Sequence, residues 1–106
     1  MNNTVKNEAK SALRFLTSKR TAAECMRLRG DTLSLESLEG EIRASELALS
    51  GLHPDDRYLL EELYISRDGG SVSRLCEHFG CSTSTVYRRS RHAVTEFAMR
   101  LFGRTE

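Results

Sequence analysis

Proline occurs once in this chain, at Pro54, so long stretches on either side are free to be helical. Proline both clashes with the preceding helical turn and lacks the N–H that the turn needs, and its scarcity removes the strongest obstacle to helix formation. The remaining punctuation comes from Gly30, Gly51, Gly69-Gly70 and Gly80. A length of 106 residues is that of one domain, and 39% hydrophobic residues without Trp suffice for a helical core. The expected fold class is all-α.

A first helix is expected from about Val5 to Arg29, started by Thr4 as N-cap, with Ala9, Ala12, Leu13 and Leu16 on one face. Lys19 and Arg20 interrupt that stripe before Ala22, Ala23 and Met26 resume it, which leaves room for a bend between Thr17 and Thr21. Gly30-Asp31 supplies a stop and a turn. From Ser34 to about Ser50, with Leu52 just beyond, Leu35, Leu38, Ile42 and Leu49 form a narrow seam that Ser45 breaks. Glu36, Glu39, Glu41 and Glu46 flank it. An antiparallel hairpin with the basic first helix is the simplest arrangement, and an intermolecular coiled coil giving a homodimer is its rival. Residues 1–50 thus read as a helical packing or oligomerisation extension, and residues 51–106 as a second region.

That second region opens at His53-Pro54, where Pro at the first helical position loses no hydrogen bond, and Asp55 and Asp56 suit the positive end of the helix dipole. Leu59, Leu60, Leu63, Tyr64 and Ile65 make its buried side, and Arg67-Asp68-Gly69-Gly70 a turn. Ser71 can cap a helix to Phe79, Gly80 can take the positive φ of a tight turn, and Ser82 can cap a helix to about Phe102. Small Cys76 four residues before Gly80, and apolar Val86 six after it, meet the steric needs of a helix-turn-helix, with Leu75, Phe79 and Cys81 completing the apolar set.

At about 100° per residue, Val86, Ser90, Ala93, Phe97 and Leu101 share one face of the last helix. Ser84, Arg88, Arg91, His92 and Thr95 point away, with Tyr87 at the side. No carboxylate lies between Glu77 and Glu96. Arg can reach guanine O6 and N7 with two hydrogen bonds, while hydroxyls and free N–H groups at a helix start hold phosphate. Ser84, Tyr87, Arg88 and Arg91 are therefore the expected base readers, and Ser82, Thr83 and Thr85 the phosphate or capping contacts. Arg89, nearer the core, is expected to pair with an acidic residue of the 55–62 helix.

The formal charge of +1 predicts no long-range attraction to a polyanion, but it is an average over blocks of +5 (residues 1–29), −7 (30–70) and +3 (71–106). The basic and acidic helices of the first half can neutralise one another and leave the last helix with its own positive field.

Leu75-Cys76-Glu77-His78-Phe79-Gly80-Cys81-Ser82-Thr83-Ser84-Thr85-Val86-Tyr87-Arg88-Arg89, followed by Arg91-His92-Ala93-Val94, resembles the helix-turn-helix of sigma-70 region 4, with its pattern I-A-x-x-L-G-I-S-x-x-T-V-x-x-x-x-x-R-A-L. Leu59-Leu60-x-x-Leu63-Tyr64-Ile65 resembles the segment that leads into it. With its N-terminal helical extension the chain is similar to sigma-like phage transcription regulators of the RinA and ArpU type. The resemblance spans residues 52–102. Cys76 and Cys81 replace the usual Ala and Ile, and His92 stands where Arg is common. It implies a three-helix, region 4-like motif, double-stranded DNA as partner, DNA contacts from Ser82, Thr83, Ser84, Thr85, Tyr87, Arg88, Arg91 and His92, a contact with RNA polymerase, and activation or repression rather than promoter melting.

Other classes fit less well. Cys76-x-His78-x-x-Cys81 with Cys25 lacks zinc-site spacing, and its cysteines occupy packing positions. His53, His78 and His92 have no nucleophile or paired-carboxylate motif around them, so neither an enzyme nor a cofactor is expected. A terminase small subunit-like DNA-packaging protein and a helical protein-interaction adaptor are the alternatives. No apolar run of membrane-spanning length and no signal-peptide pattern occurs, and three sparse cysteines fit a reducing compartment, so a cytoplasmic location is expected.

Overall fold

The computed structural model describes residues 4–105, and every regular element among them is helical. The order is α1 (Thr4–Arg14), α2 (Leu16–Arg29), α3 (Thr32–Ser50), α4 (Pro54–Leu60, continued by a π-helical turn over Glu61–Ser66), α5 (Ser71–Phe79) and α6 (Thr83–Phe102). Among the described residues no helix is long and apolar enough to cross a membrane.

The ends of these helices follow from local chemistry. Gly30 closes α2 at φ 73°, its left-handed conformation letting the N–H groups of Gly30 and Asp31 return to the last carbonyls. Asp31 then caps α3 through Ser34 N–H. At His53-Pro54 the His53 ring nitrogen accepts from Asp55 N–H at 3.1 Å, Pro54 fills the first turn, and Asp55 and Asp56 lie at the positive end of the helix. Ser71 is the first residue of α5 rather than its cap. Gly70 holds the cap position and donates its N–H to Asp68 Oδ1 at 2.9 Å.

The expected single helix from Val5 to Arg29 is two helices. The break falls at Phe15 (φ −97°, ψ 5°), ahead of the Thr17–Thr21 stretch where the apolar stripe weakens. Val5, Ala9 and Leu13 of α1 are buried where α1 docks on α6 and the π-helical turn, whereas α2 lies along α3. The helical hydrogen bonds continue across the break, Phe15 N–H donating to the Ser11 carbonyl at 3.0 Å and Lys19 N–H to the Phe15 carbonyl at 2.8 Å. Leu13 and Leu16, on either side of the break, are completely buried, and each contributes about 1.5–3 kcal/mol relative to an exposed side chain.

α2 and α3 form the antiparallel hairpin, bridged by Lys19–Glu41 (3.5 Å), Arg20–Glu46 (2.9 Å) and Arg27–Glu39 (2.7 Å), with Arg27 also against Glu24. The Glu39 hydrogen bond, ahead of the charge of Glu24, raises the Arg27 pKa. Ser45 does not break the seam: it is buried together with Ile42, Ala48 and Leu49. The radius of gyration, 15.0 Å, exceeds the roughly 13 Å of a compact chain of about 100 residues. The free end of the hairpin accounts for this, with Leu28 82% and Leu33 87% exposed.

One core joins both halves. Val5, Ala9, Leu13 and Leu16 belong to the same buried cluster as Leu59, Leu60, Leu75, Val86, Val94 and Phe97. α6 lies at its centre, in contact with α1, α3, α4 and α5.

Candidate functional site

α5 and α6 are joined by Gly80, Cys81 and Ser82, and the chain turns there because Gly80 adopts φ 61°. Cys81 N–H donates back to the Cys76 carbonyl at 3.1 Å, closing α5. Ser82, in extended conformation, caps α6 through Oγ, which accepts from Thr85 N–H at 3.3 Å and lies 3.1 Å from Thr85 Oγ1. Val86 N–H goes to the Ser82 carbonyl. The amides of Thr83 and Ser84 then sit at the positive end of the helix without an intrahelical acceptor.

The outward face carries most of the residues singled out in the sequence. Ser82, Thr83, Ser84, Tyr87, Arg88, Arg91 and His92 are exposed, and Thr85 and Thr95 are half-buried. Thr83 Oγ1 lies 3.8 Å from Cys76 Sγ, so this hydroxyl also contacts α5. Thr95 Oγ1 donates to the Arg91 carbonyl at 3.0 Å. Beneath them Val86, Ser90, Ala93, Val94, Phe97 and Ala98 are buried, which fixes the rotation of α6 about its axis.

Arg89 differs from the expectation of an acidic partner. Its guanidinium lies 4.1 Å from the centroid of Phe79, a cation–π contact with α5. The acidic helix instead meets His78, whose ring stands 4.7 Å from Tyr58 and whose Nε2 is 3.9 Å from Asp55 Oδ1. His78 and Cys76 thus face different neighbours, and among the described residues no three His, Cys, Asp or Glu side chains are grouped to hold a metal.

Electrostatically, the cations of α2 and α5 that face carboxylates differ from those of the α6 face. Lys19, Arg20 and Arg27 of α2 are matched by Glu41, Glu46 and Glu39 of α3, and Arg74 of α5 is clamped between Glu62 (2.8 Å) and Asp68 (2.7 Å). Hydrogen bonds from Arg74 and Gly70 hold the Asp68 carboxyl below the usual carboxylate range, and Glu62 and Asp68 in turn raise the Arg74 pKa. Arg88 and Arg91 form no ion pair among the described residues. Their charge faces solvent.

Two lysines absent from the sequence-based set join this face. Lys6 and Lys10 of α1 line a groove with Arg91, His92, Val94 and Thr95 of α6. Next along α1, Arg14 lies 5.5 Å from the centroid of Tyr64. Burial pushes the Tyr64 phenol up, and the charge of Arg14 opposes the shift. The i, i+4, i+8 spacing of Lys6, Lys10 and Arg14 was the available signal, but only the docking of α1 on α6 shows where that row points.

Comparison with known proteins finds no matching family model, no matching curated protein and no matching solved structure.

Proposed function

We propose that this chain is a sequence-specific DNA-binding transcriptional regulator of phage or prophage type. In this reading α5, the Gly80 turn and α6 act as a sigma-70 region 4-like helix-turn-helix, with α4 as its supporting helix. The first turns of α6 enter the major groove. Ser84, Tyr87, Arg88 and Arg91 meet base edges, while Ser82, Thr83, Thr85, His92 and the amides at the helix start meet sugar and phosphate. No enzymatic step is part of this reading.

The observation that carries the proposal is the face of α6: arginines, hydroxyls and a phenol presented outward directly after a tight turn, with no acidic partner among the described residues. A solvated helix face ordinarily mixes signs, as α2 and α3 do here. Few phosphate contacts per subunit give a single copy only modest affinity, so the proposal includes a homodimer through the N-terminal helices or a protein partner such as RNA polymerase. The exposed Leu28 and Leu33 at the hairpin end favour a protein contact there. That feature also suits the second reading, a helical adaptor without DNA binding.

Electrophoretic mobility shift on duplex fragments from around the gene tests the proposal. Binding at low salt that is weakened by Arg88→Ala and by Arg91→Ala is the expected result. Absence of any shift, or a shift indifferent to both substitutions, removes DNA binding by α6 and leaves the adaptor.

A further inference from the structure

Lys6, Lys10 and Arg14 recur every fourth residue of α1 and share one side of that helix, beside the buried stripe of Val5, Ala9 and Leu13. Docking of α1 leaves Arg14 over the Tyr64 ring and brings Lys6 and Lys10 beside α6, where they flank a groove whose other wall is Arg91, His92 and Thr95. Asn7 lies between them. The acidic residue of α1, Glu8, belongs to a different groove with Phe15, Leu101 and Phe102. Glu96, the nearest acidic residue in sequence on α6, is half-buried and does not line the Lys6–Arg91 groove. Neither Lys6 nor Lys10 forms an ion pair among the described residues, whereas Lys19 and Arg20 of α2, from the same basic block, face Glu41 and Glu46.

We propose that Lys6 and Lys10 form a second row of phosphate contacts on duplex DNA, beside the groove entered by α6, so that α1 and α6 make one composite interface. This rests on the reading of α6 as the DNA-contacting helix. Residue chemistry supports the division of labour. Lysine is a flexible, strongly hydrated point charge suited to a phosphate oxygen, and arginine has the planar fork suited to a base edge. Both lysines are half-buried, as suits a side chain whose apolar stem covers packed surface while its ammonium group stays in water. The row is continuous with the α6 surface through Arg91, which favours one extended polyanion over a separate acidic protein segment.

The test is fluorescence anisotropy on a labelled mixed-sequence duplex of about 30 base pairs across a sodium chloride series, where each lost phosphate contact lowers the slope of log affinity against log salt by about 0.9. For K6Q/K10Q the expected result is a slope shallower by about 1–2 with a similar loss on every duplex sequence. K6R/K10R retains the wild-type slope, which separates charge from packing, and K19Q/R20Q leaves it unchanged because those cations already face carboxylates. If R88A/R91A weakens binding while K6Q/K10Q keeps the full slope, the α1 row is overturned and the reading of α6 stands. If the wild-type chain does not bind duplex DNA even at low salt, both fall. A K6Q/K10Q slope that drops without rescue by K6R/K10R assigns the effect to packing and also overturns the proposal.

Discussion

The Arg89 guanidinium lies over the Phe79 ring, its Cζ 4.1 Å from the ring centroid. This contact ties the second turn of α6 to the last residue of α5, across the Gly80 turn. Its neighbour Arg88, about 100° round the helix, is fully outside that contact. Adjacent arginines therefore have different duties.

Arg89→Ala is expected to destabilise the fold by about 0.5–1 kcal/mol, the range for a cation–π pair at a partly exposed site. It should leave the salt dependence of DNA binding close to wild type. Arg88→Ala should show the reverse, with stability within about 0.5 kcal/mol of wild type and weakened binding. Urea unfolding and duplex titration of the two variants read both quantities.

The Arg74 clamp makes stability sensitive to acid. Asp68 is held below its ordinary pKa, chiefly by its hydrogen bond with Arg74. Its stabilising contribution is therefore complete above the unfolded value of about 3.9 and is lost as the pH falls through the lower folded value. Thermal midpoints measured between about pH 5 and pH 2 should fall less steeply for Asp68→Asn, and also for Arg74→Gln, than for wild type.

The two left-handed residues flanking α5 make opposite predictions. A Cβ at Gly80 would meet nothing within 4 Å, so the cost of Gly80→Ala is backbone strain at φ 61°. A loss of about 1–2 kcal/mol is expected, and less for Gly80→Asn. Arg67, a non-glycine at φ 46°, carries similar strain. Arg67→Gly should stabilise by up to about 1 kcal/mol. Denaturant midpoints of the three variants check the signs.

Leu13 of α1 is fully buried in the cluster that contains Phe97 of α6. Leu13→Ala is expected to cost about 2–5 kcal/mol. Thermal unfolding should remain a single transition at a lower midpoint, because α1 shares its core with the helices after Gly51. Two separate transitions would mean that α1 is an independent extension.

What could be read in the sequence was local. Gly30-Asp31, His53-Pro54 and Gly80-Ser82 mark helix ends because their conformations and caps are properties of those residues, and the Lys, Arg and Glu content of α2 and α3 announces their pairing. The break at Phe15 carries no such mark: no Gly or Pro occurs between Val5 and Arg29, and the two segments it separates pack on different elements. The π-helical turn after Leu60 is similarly silent. Of the candidate site, the residues on α6 follow from one helical wheel. Lys6 and Lys10 do not, because their position beside Arg91 depends on a contact between residues some 80 positions apart. The charge blocks likewise placed the whole first basic segment opposite the acidic one, whereas α2 takes that role and α1 turns its lysines toward α6.

DNA contact by the first turns of α6 is tested by titrating the isotope-labelled chain with duplex DNA and following amide chemical shifts in the nuclear magnetic resonance spectrum. The largest changes are expected from Ser82 to His92, with smaller ones at Lys6 and Lys10 and almost none at Leu28 and Leu33. Changes confined to the free end of the α2–α3 hairpin, or none at low salt, would contradict that contact.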